Sequence, residues 1–347
     1  MKRGRGSRGY WRAAVLAAWL TAALVTFDNA HAEEEEPSSD TLVLGAYTVP
    51  RDVYEKELIP GFQKYWKEKT GNGVKFIRSY LGSVAQARAI IDGSGADVAA
   101  LSHEGDMEDI AKAGLISSEW RDRRWKGFVT NSLAVIAYRP GNPKRILDWE
   151  DLARPDVDVL YPNPKTSGGA MWFISAIYGA GLRMSQARTG TPDPAYARDL
   201  LKRVQQRVKV MNDSGRESVS TFEQGIGDAL VTYEDEALRF EFLVPKATIL
   251  IQNPVAVVDR NAEKHGVRDV ADAFVRFLHS ESAQRAFGRH GFRPVDPEIA
   301  REFGENFPTP TFPFGIEYLG GWAEVKKTIY GPDGIWTQIM QELAGIK

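Results

Sequence analysis

Residues 41–47 (TLVLGAY), 74–80 (VKFIRSY) and 96–101 (ADVAAL) are short runs rich in apolar and β-branched residues, and they decide the fold class. Between them lie two stretches with helical periodicity, residues 51–69 and 83–91. Strands separated by helices of this length need crossover connections, so the strands are expected to run mostly parallel in one sheet. The sequence therefore predicts an α/β fold.

A second alternation of the same kind follows along the chain. Strands are predicted at 132–138, 157–162, 208–212 and 229–234, and helices at 168–181, 194–207 and 220–224. A single hydrophobic core stops growing at about 250–300 residues, and longer chains divide. We therefore predict two lobes, each with a mostly parallel sheet flanked by helices.

The first 32 residues have the pattern of an export signal. They begin with basic residues, continue with an apolar run from Ala13 to Phe27, and end on the small residues of a cleavage site at 30–32 (AHA). A retained membrane anchor is the weaker alternative, because the apolar run is shorter than the roughly 20 residues that span a bilayer. We predict cleavage after Ala32 and a periplasmic location. Residues 33–40 (EEEEPSSD) are then expected to form a mobile tether.

Composition narrows the chemistry that the chain can perform. Of its 347 residues none is cysteine, so zinc ribbons, iron–sulfur clusters and cysteine nucleophiles are excluded. Lysine plus arginine (44) nearly balance aspartate plus glutamate (46), which argues against binding to duplex nucleic acid. Residues 1–32 contribute +4 to the net charge of −2, so the remainder carries −6. We expect a soluble, acidic monomer.

Motifs of the common enzyme classes are missing from the sequence. It contains no HExxH, no GxSxG, no GxGxxG behind a strand and no GxxxxGK[ST]. His103 merits attention because it follows a predicted strand end, where open sheets bind ligands. The enzymatic alternative is a hydrolase or transferase with His103 or Glu234 as general base and Ser167 as nucleophile. We assign no metal, cofactor or catalytic residue.

Serine and glycine residues are concentrated where predicted strands lead into helices. Ser83 follows the second strand, 167–169 (SGG) precede a long apolar helix, and 213–221 (DSGRESVST) form a third junction. Helix N-termini attract anions because unpaired N–H groups and the helix dipole both favour negative charge. Three such junctions indicate an oxyanion held between the two lobes.

The run 163–170 (NPKTSGGA) and several collinear stretches resemble the periplasmic sulfate/thiosulfate-binding proteins of ABC importers. The other stretches are 79–87 (SYLGSVAQA), 95–98 (GADV), 213–215 (DSG), 225–228 (GIGD), 254–259 (PVAVVD) and 320–322 (GGW). The resemblance implies a two-lobed periplasmic-binding-protein fold of type II, with the ligand cleft between the lobes. Lobe 1 would comprise residues 41–137 and 252–347, and lobe 2 residues 138–251.

The same resemblance implies a receptor that captures sulfate, thiosulfate or a related small sulfur oxyanion and delivers it to an inner-membrane ABC permease. The implied site residues are Thr48, Ser83 (backbone and hydroxyl), Ser167, Gly168, Gly169, Ser218 (backbone) and Tyr233. Fully ionised sulfate only accepts hydrogen bonds, so neutral donors satisfy it. A protonated phosphate would bury an unsatisfied O–H at a cost of roughly 1–3 kcal/mol.

Three of these positions depart from the family's usual residues. Thr48 stands where aspartate is usual, Ser218 where alanine is usual, and Tyr233 where a tryptophan donates its indole N–H. Serine and tyrosine also donate, so anion binding is expected to survive while the shape of the pocket changes. A third alternative is a receptor-like domain that signals through a membrane partner without transport.

Overall fold

The computed structural model describes residues 41–345, so the predicted signal peptide (1–32) and tether (33–40) lie outside the described residues. The described strands are β1 Thr41–Tyr47, β2 Lys75–Leu81, β3 Val98–Ala100, β4 Phe128–Tyr138, β5 Val159–Leu160, β6 Val208–Val210, β7 Ala229–Tyr233, β8 Glu241–Leu243, β9 Ala247–Val257, β10 Arg293–Pro294 and β11 Phe312–Phe314. The α-helices are α1 Arg51–Val53, α2 Ile59–Thr70, α3 Ser83–Ile91, α4 Glu104–Lys112, α5 Gly168–Thr189, α6 Pro194–Gln205, α7 Gly215–Glu223, α8 Glu234–Ala237, α9 Asp259–Lys264, α10 Arg268–Leu278, α11 Glu281–Arg289, α12 Pro297–Glu302, α13 Gly321–Thr328 and α14 Ile335–Leu343. None of these helices combines the length and the apolar character needed to cross a bilayer.

Shorter helical turns complete the chain between these elements. A π-helical turn, Tyr54–Leu58, joins α1 to α2. The 3₁₀ turns are Ser118–Asp122, Arg124–Gly127, Trp149–Ala153, Gly304–Asn306 and Ile316–Leu319.

The predicted alternation of strands and helices is confirmed, and the largest differences in helix bounds lie in α5 and α7. β1 and α3 have the predicted bounds, whereas α5 continues beyond residue 181 to Thr189. α7 begins at Gly215 rather than at residue 220, because the Ser214 hydroxyl caps it by accepting the Glu217 N–H at 3.3 Å. The earlier start changes which N–H groups α7 presents.

Two parallel groups of strands are joined by two long antiparallel ones. The strand order is β2-β1-β3-β9-β4-β7-β5-β6, with β1 parallel to β2 and β3, and β5 parallel to β6 and β7. β4 and β9 each have 11 residues and pair antiparallel along the middle of the sheet. β9 continues into pairing with β3, and β4 into pairing with β7. These crossing strands connect two α/β lobes, as predicted.

The predicted lobe boundaries at 137/138 and 251/252 fall within β4 and β9, and they stay a prediction. The C-terminal part of the chain contacts helices that the prediction places in different lobes. α13 packs against α4, whereas α14 packs against α6, where the Trp336 indole donates to Gln205 Oε1 at 3.2 Å. The tail therefore extends along both lobes.

Glycine at two positions lets helices approach closely and fixes where their N-termini lie. Gly45 is a residue of β1, and a Cβ on it would lie 2.8 Å from Gln86 Nε2 of α3. α5 is buried on all sides from residue 168 to 181, and a Cβ on Gly181 would lie 2.6 Å from the Ala197 Cα of α6. A helix that is apolar all round belongs in a core. α3 and α5 both begin at the candidate site.

Candidate functional site

Three helices begin at one place in the structure. The loop before α3 touches the loops before α5 and α7, since a Cβ on Gly82 would lie 2.5 Å from the Thr166 carbonyl and 2.7 Å from the Asp213 carbonyl. The Ala85 N–H also donates to the Thr166 carbonyl at 3.1 Å. The three serine and glycine junctions singled out in the sequence are thus brought together. The first N–H groups of a helix have no acceptor within it, so each junction offers free donors.

The start of α5 is closely surrounded by polar side chains. Ser167 is the N-cap, and its hydroxyl accepts the Ala170 N–H at 3.4 Å. A Cβ on Gly168 would lie 2.8 Å from Ser102 Oγ, and one on Gly169 would lie 3.1 Å from the Tyr233 hydroxyl. Glycine at both positions therefore lets the first turn of α5 lie close to these two hydroxyls.

Ser83 lies at the start of α3. The N-cap of α3 is Gly82, and Ser83 is the first helical residue. Its hydroxyl donates to Asp106 Oδ2 at 2.6 Å and accepts the Ser102 N–H at 2.9 Å. The hydroxyl is therefore committed within the protein, and the backbone N–H is the group that Ser83 presents.

Ser218, one of the predicted donors, has both its N–H and its hydroxyl bonded within the protein. Ser218 is the fourth residue of α7, and its N–H donates to the Ser214 carbonyl at 3.2 Å. Its hydroxyl donates to Asn212 Oδ1 at 3.2 Å. With the Glu217 N–H bonded to the cap, the open donors of α7 are the N–H groups of Gly215 and Arg216.

Two tyrosines border the same region. Tyr233 ends β7, packs edge-on against Phe173 with ring centroids 5.2 Å apart, and places its hydroxyl 2.8 Å from Ser102 Oγ. Tyr47 ends β1 with its ring centroid 6.3 Å from that of Tyr233, and its buried hydroxyl has no hydrogen-bond partner among the described residues. Thr48 follows Tyr47 and is partly exposed. Each tyrosine hydroxyl therefore has unused hydrogen-bonding capacity.

Ser102 is the residue that the sequence reasoning missed. It is buried, its N–H and hydroxyl meet Ser83 and Tyr233, and its carbonyl accepts bonds from Trp172 Nε1 and Asn253 Nδ2, each at 2.8 Å. The available signal was its position at the end of the third strand, which drew attention to the neighbouring His103 instead. Ser102 links the starts of α3 and α5.

Two ionisable residues beside this cluster, His103 and Asp106, are buried and lie close to each other. His103 stacks on Trp322 with centroids 3.9 Å apart, its Nδ1 accepts the Asp106 N–H at 3.1 Å, and its Nε2 lies 3.3 Å from Asp106 Oδ2. Burial, and then the charge of Lys326, lower the pKa of His103 well below its usual range, so the imidazole is neutral. Burial raises the pKa of Asp106 to about 7, opposed by the Ser83 hydrogen bond.

The two bases proposed for an enzyme are engaged elsewhere. The Nδ1 atom of His103 is held by a backbone N–H, and the Glu234 carboxylate is bonded by Arg293 at 2.6 and 2.7 Å. Neither therefore serves Ser167 as a general base in this arrangement. Within residues 41–345, no group of three or more histidine, aspartate or glutamate side chains is arranged to hold a metal ion.

Two α/β lobes joined by crossing strands, with helix N-termini meeting at a buried polar cluster, define a solute-binding protein fold. Residues 43–293 match the family described as bacterial extracellular solute-binding protein. The chain belongs to this family.

Relatives with established names cover nearly the whole chain. A sulfate-binding protein from Synechococcus elongatus is 37% identical over 99% of this chain and 100% of its own length. A sulfate-binding protein from Escherichia coli is 36% identical over 85% of this chain and 91% of its own. A thiosulfate-binding protein from Pseudomonas aeruginosa is 35% identical over 93% and 97%. These relatives are named as binding proteins, not as enzymes.

Solved structures agree with this fold. The sulfate-binding protein SubI from Mycobacterium tuberculosis H37Rv superposes with a TM-score of 0.74 and 35% identity, over 82% of this chain and 98% of that one. The binding protein MotA from A. tumefaciens B6, in complex with glucopine, superposes with a TM-score of 0.62 over 86% and 99%. At 15% identity, MotA supports the fold alone.

Proposed function

We propose that this protein is an extracytoplasmic receptor that captures sulfate, thiosulfate or a related small sulfur oxyanion. The observation that carries the proposal is the meeting of the N-termini of α3, α5 and α7 beside the Tyr233 hydroxyl. Full-length relatives named for sulfate and thiosulfate support this class of ligand.

The donors that we propose are neutral. They are the N–H groups of Ser83, Gly168, Gly169, Gly215 and Arg216 and the hydroxyls of Ser167 and Tyr233, with Thr48 at the edge of the site. Gly215 and Arg216 replace Ser218, whose N–H is used inside its own helix. A set of donors suits a dianion that only accepts hydrogen bonds, and it disfavours an anion that carries its own proton.

We further propose that the receptor works in the periplasm as a monomer and delivers its anion to an inner-membrane ABC permease. The export pattern of residues 1–32 and the family's extracellular character support this location. A hydrolase or transferase is not favoured, because the Nδ1 atom of His103 accepts the Asp106 N–H and the Glu234 carboxylate is bonded by Arg293.

Calorimetric titration of the purified protein with sulfate, thiosulfate, molybdate and phosphate tests the proposal. We expect binding heat with sulfate or thiosulfate and much weaker binding of phosphate. If no tetrahedral anion produces heat, the proposal is wrong.

Two matched serine variants locate the site. Ser167 and Ser280 are both helix N-caps, and each accepts one N–H, at 3.4 Å and 3.3 Å. Alanine at either position removes a cap and costs about 1 kcal/mol of stability. Ser167→Ala should also weaken anion binding by about 10-fold or more, since a hydrogen bond to a charged group is lost. Ser280→Ala should leave the affinity unchanged. Equal affinities of the two variants would remove Ser167 from the site.

A further inference from the structure

We propose that Ser102 is a positioning residue of the anion site, whose hydroxyl donates to Tyr233 and so directs the Tyr233 O–H toward the bound anion. The inference rests on the proposed function, because it assigns a role within that same site. Tyr233 ends β7 and Ser102 lies in the segment after β3, so the two residues are far apart in the sequence.

The Ser102 and Tyr233 hydroxyls together have two protons, and only one of them is used in the hydrogen bond between them. The two oxygens lie 2.8 Å apart, and both residues are 1% exposed. One of the two hydroxyl protons occupies the bond between them. Within residues 41–345, neither hydroxyl makes a second hydrogen bond, so the other proton has no acceptor. A buried donor without an acceptor is costly, and an anion would satisfy it.

The two hydroxyls lie beside the first N–H groups of α5. A Cβ on Gly168 would lie 2.8 Å from Ser102 Oγ, and a Cβ on Gly169 would lie 3.1 Å from the Tyr233 hydroxyl. An anion held by the start of α5 is therefore within reach of this pair. The site gains a donor that belongs to no helix backbone.

Two features favour Ser102 as the donor to Tyr233, and Tyr233 as the donor to the anion. The backbone of Ser102 is clamped on both sides, because its N–H donates to Ser83 Oγ and its carbonyl accepts from Trp172 and Asn253. A phenol is a stronger hydrogen-bond donor than an aliphatic alcohol, so the favoured chain runs from Ser102 through Tyr233 to the anion. Hydrogen bonds in such a chain polarise and strengthen one another. Burial raises the pKa of Tyr233, so its proton stays in place.

The pair also disfavours a protonated anion. If an anion donated its own O–H to Tyr233, the chain would reverse, and the Ser102 proton would be left without an acceptor. The two hydroxyls together therefore act as one donor, as a single N–H would. This property suits an anion that is fully ionised.

A double-mutant cycle tests the inference by calorimetry with sulfate. The variants are Ser102→Ala, Tyr233→Phe and the double variant, each compared with the unmodified protein. We expect Tyr233→Phe to weaken binding about 10- to 100-fold and Ser102→Ala about 3- to 10-fold. In the Tyr233→Phe background, Ser102→Ala should change the affinity by less than about 2-fold, because its partner is gone. A merely structural effect of Ser102 would persist in that background.

Ser175→Ala is the matched control. Ser175 is also buried, and its hydroxyl lies 3.3 Å from the hydroxyl of Tyr330, outside the proposed site. Thermal unfolding confirms that each variant is folded. The inference is overturned if Ser102→Ala binds as tightly as the unmodified protein, or no more weakly than Ser175→Ala. It is also overturned if Ser102→Ala weakens binding equally with and without the Tyr233 hydroxyl. Absence of anion binding in the unmodified protein would instead overturn the proposed function itself.

Discussion

Replacing Gly168 with alanine would place a methyl group against the most closely packed part of the site. The new Cβ would lie 2.8 Å from both Ser102 Oγ and His103 Cδ2, where ordinary contacts begin at 3.4 Å. The new Cβ and these two atoms must move apart by about 0.6 Å to relieve the contact. Ser102 is held by its backbone hydrogen bonds and His103 by stacking on Trp322. The start of α5 must therefore move instead.

The displacement has consequences for stability and for binding. Overpacking of this kind costs about 1–3 kcal/mol. Moving the N–H groups of Gly168 and Gly169 away from their positions should weaken sulfate binding by about 10- to 100-fold. Thermal unfolding measures the first effect and calorimetry the second.

Gly181→Ala is the control for this prediction. It overpacks the same helix, with the new Cβ 2.6 Å from the Ala197 Cα, but at a contact between α5 and α6. It should destabilise the protein comparably and leave the sulfate affinity within about 3-fold. Sulfate affinity of Gly168→Ala equal to that of the unmodified protein would show that the anion does not bind at the start of α5.

Three further predictions concern buried charges near the site. Burial lowers the pKa of His103, so the unfolded state binds a proton more readily and stability falls as the pH drops below about 6.5. His103→Gln should flatten this dependence in urea unfolding between pH 5 and 7, and an unchanged slope would contradict the shift. Burial raises the pKa of Asp106 to about 7, so its contribution is present at low pH and is lost as the pH rises through that value. Asp106→Asn should therefore be increasingly favoured over the unmodified protein from pH 4 to pH 7, and a constant stability difference would count against it. Arg293→Met strands the buried Glu234 carboxylate and should cost about 3–5 kcal/mol, most of it recovered by adding Glu234→Gln. Denaturant unfolding would refute this if the double variant were no more stable than the single one.

The alternation of strands and helices could be predicted because it depends on local patterns. Apolar periodicity does not locate a helix end where a polar segment of the helix continues past its apolar part. α5 extends to Thr189 because its polar last turns remain helical up to Gly190, which adopts the left-handed conformation that ends helices. α7 starts at Gly215, and Ser214 with Glu217 three residues later was the capping signal that could have located it.

The site could be predicted only where a single junction forms it. Ser167, Gly168 and Gly169 are consecutive, so the start of α5 can be recognised from the sequence. The pairing of Ser102 with Tyr233 depends on sheet order, since β9 and β4 lie between the strands that carry them. No local pattern encodes such a contact across 131 positions of the chain.

The acidic character of the chain beyond residue 32 raises the question of what attracts a dianion. Of the basic groups nearby, His103 is neutral and Arg216 lies 3.3 Å from Asp52. Each helix N-terminus contributes the equivalent of about half a positive charge, so α3, α5 and α7 together supply about +1.5 where they meet. This summed partial charge is comparable in size, and opposite in sign, to the charge of a sulfate dianion. The net charge of the chain acts from farther away and is screened over about 8–10 Å at physiological salt. An anion bound at the proposed site would therefore be held by oriented dipoles, which would also fix where each oxygen must lie.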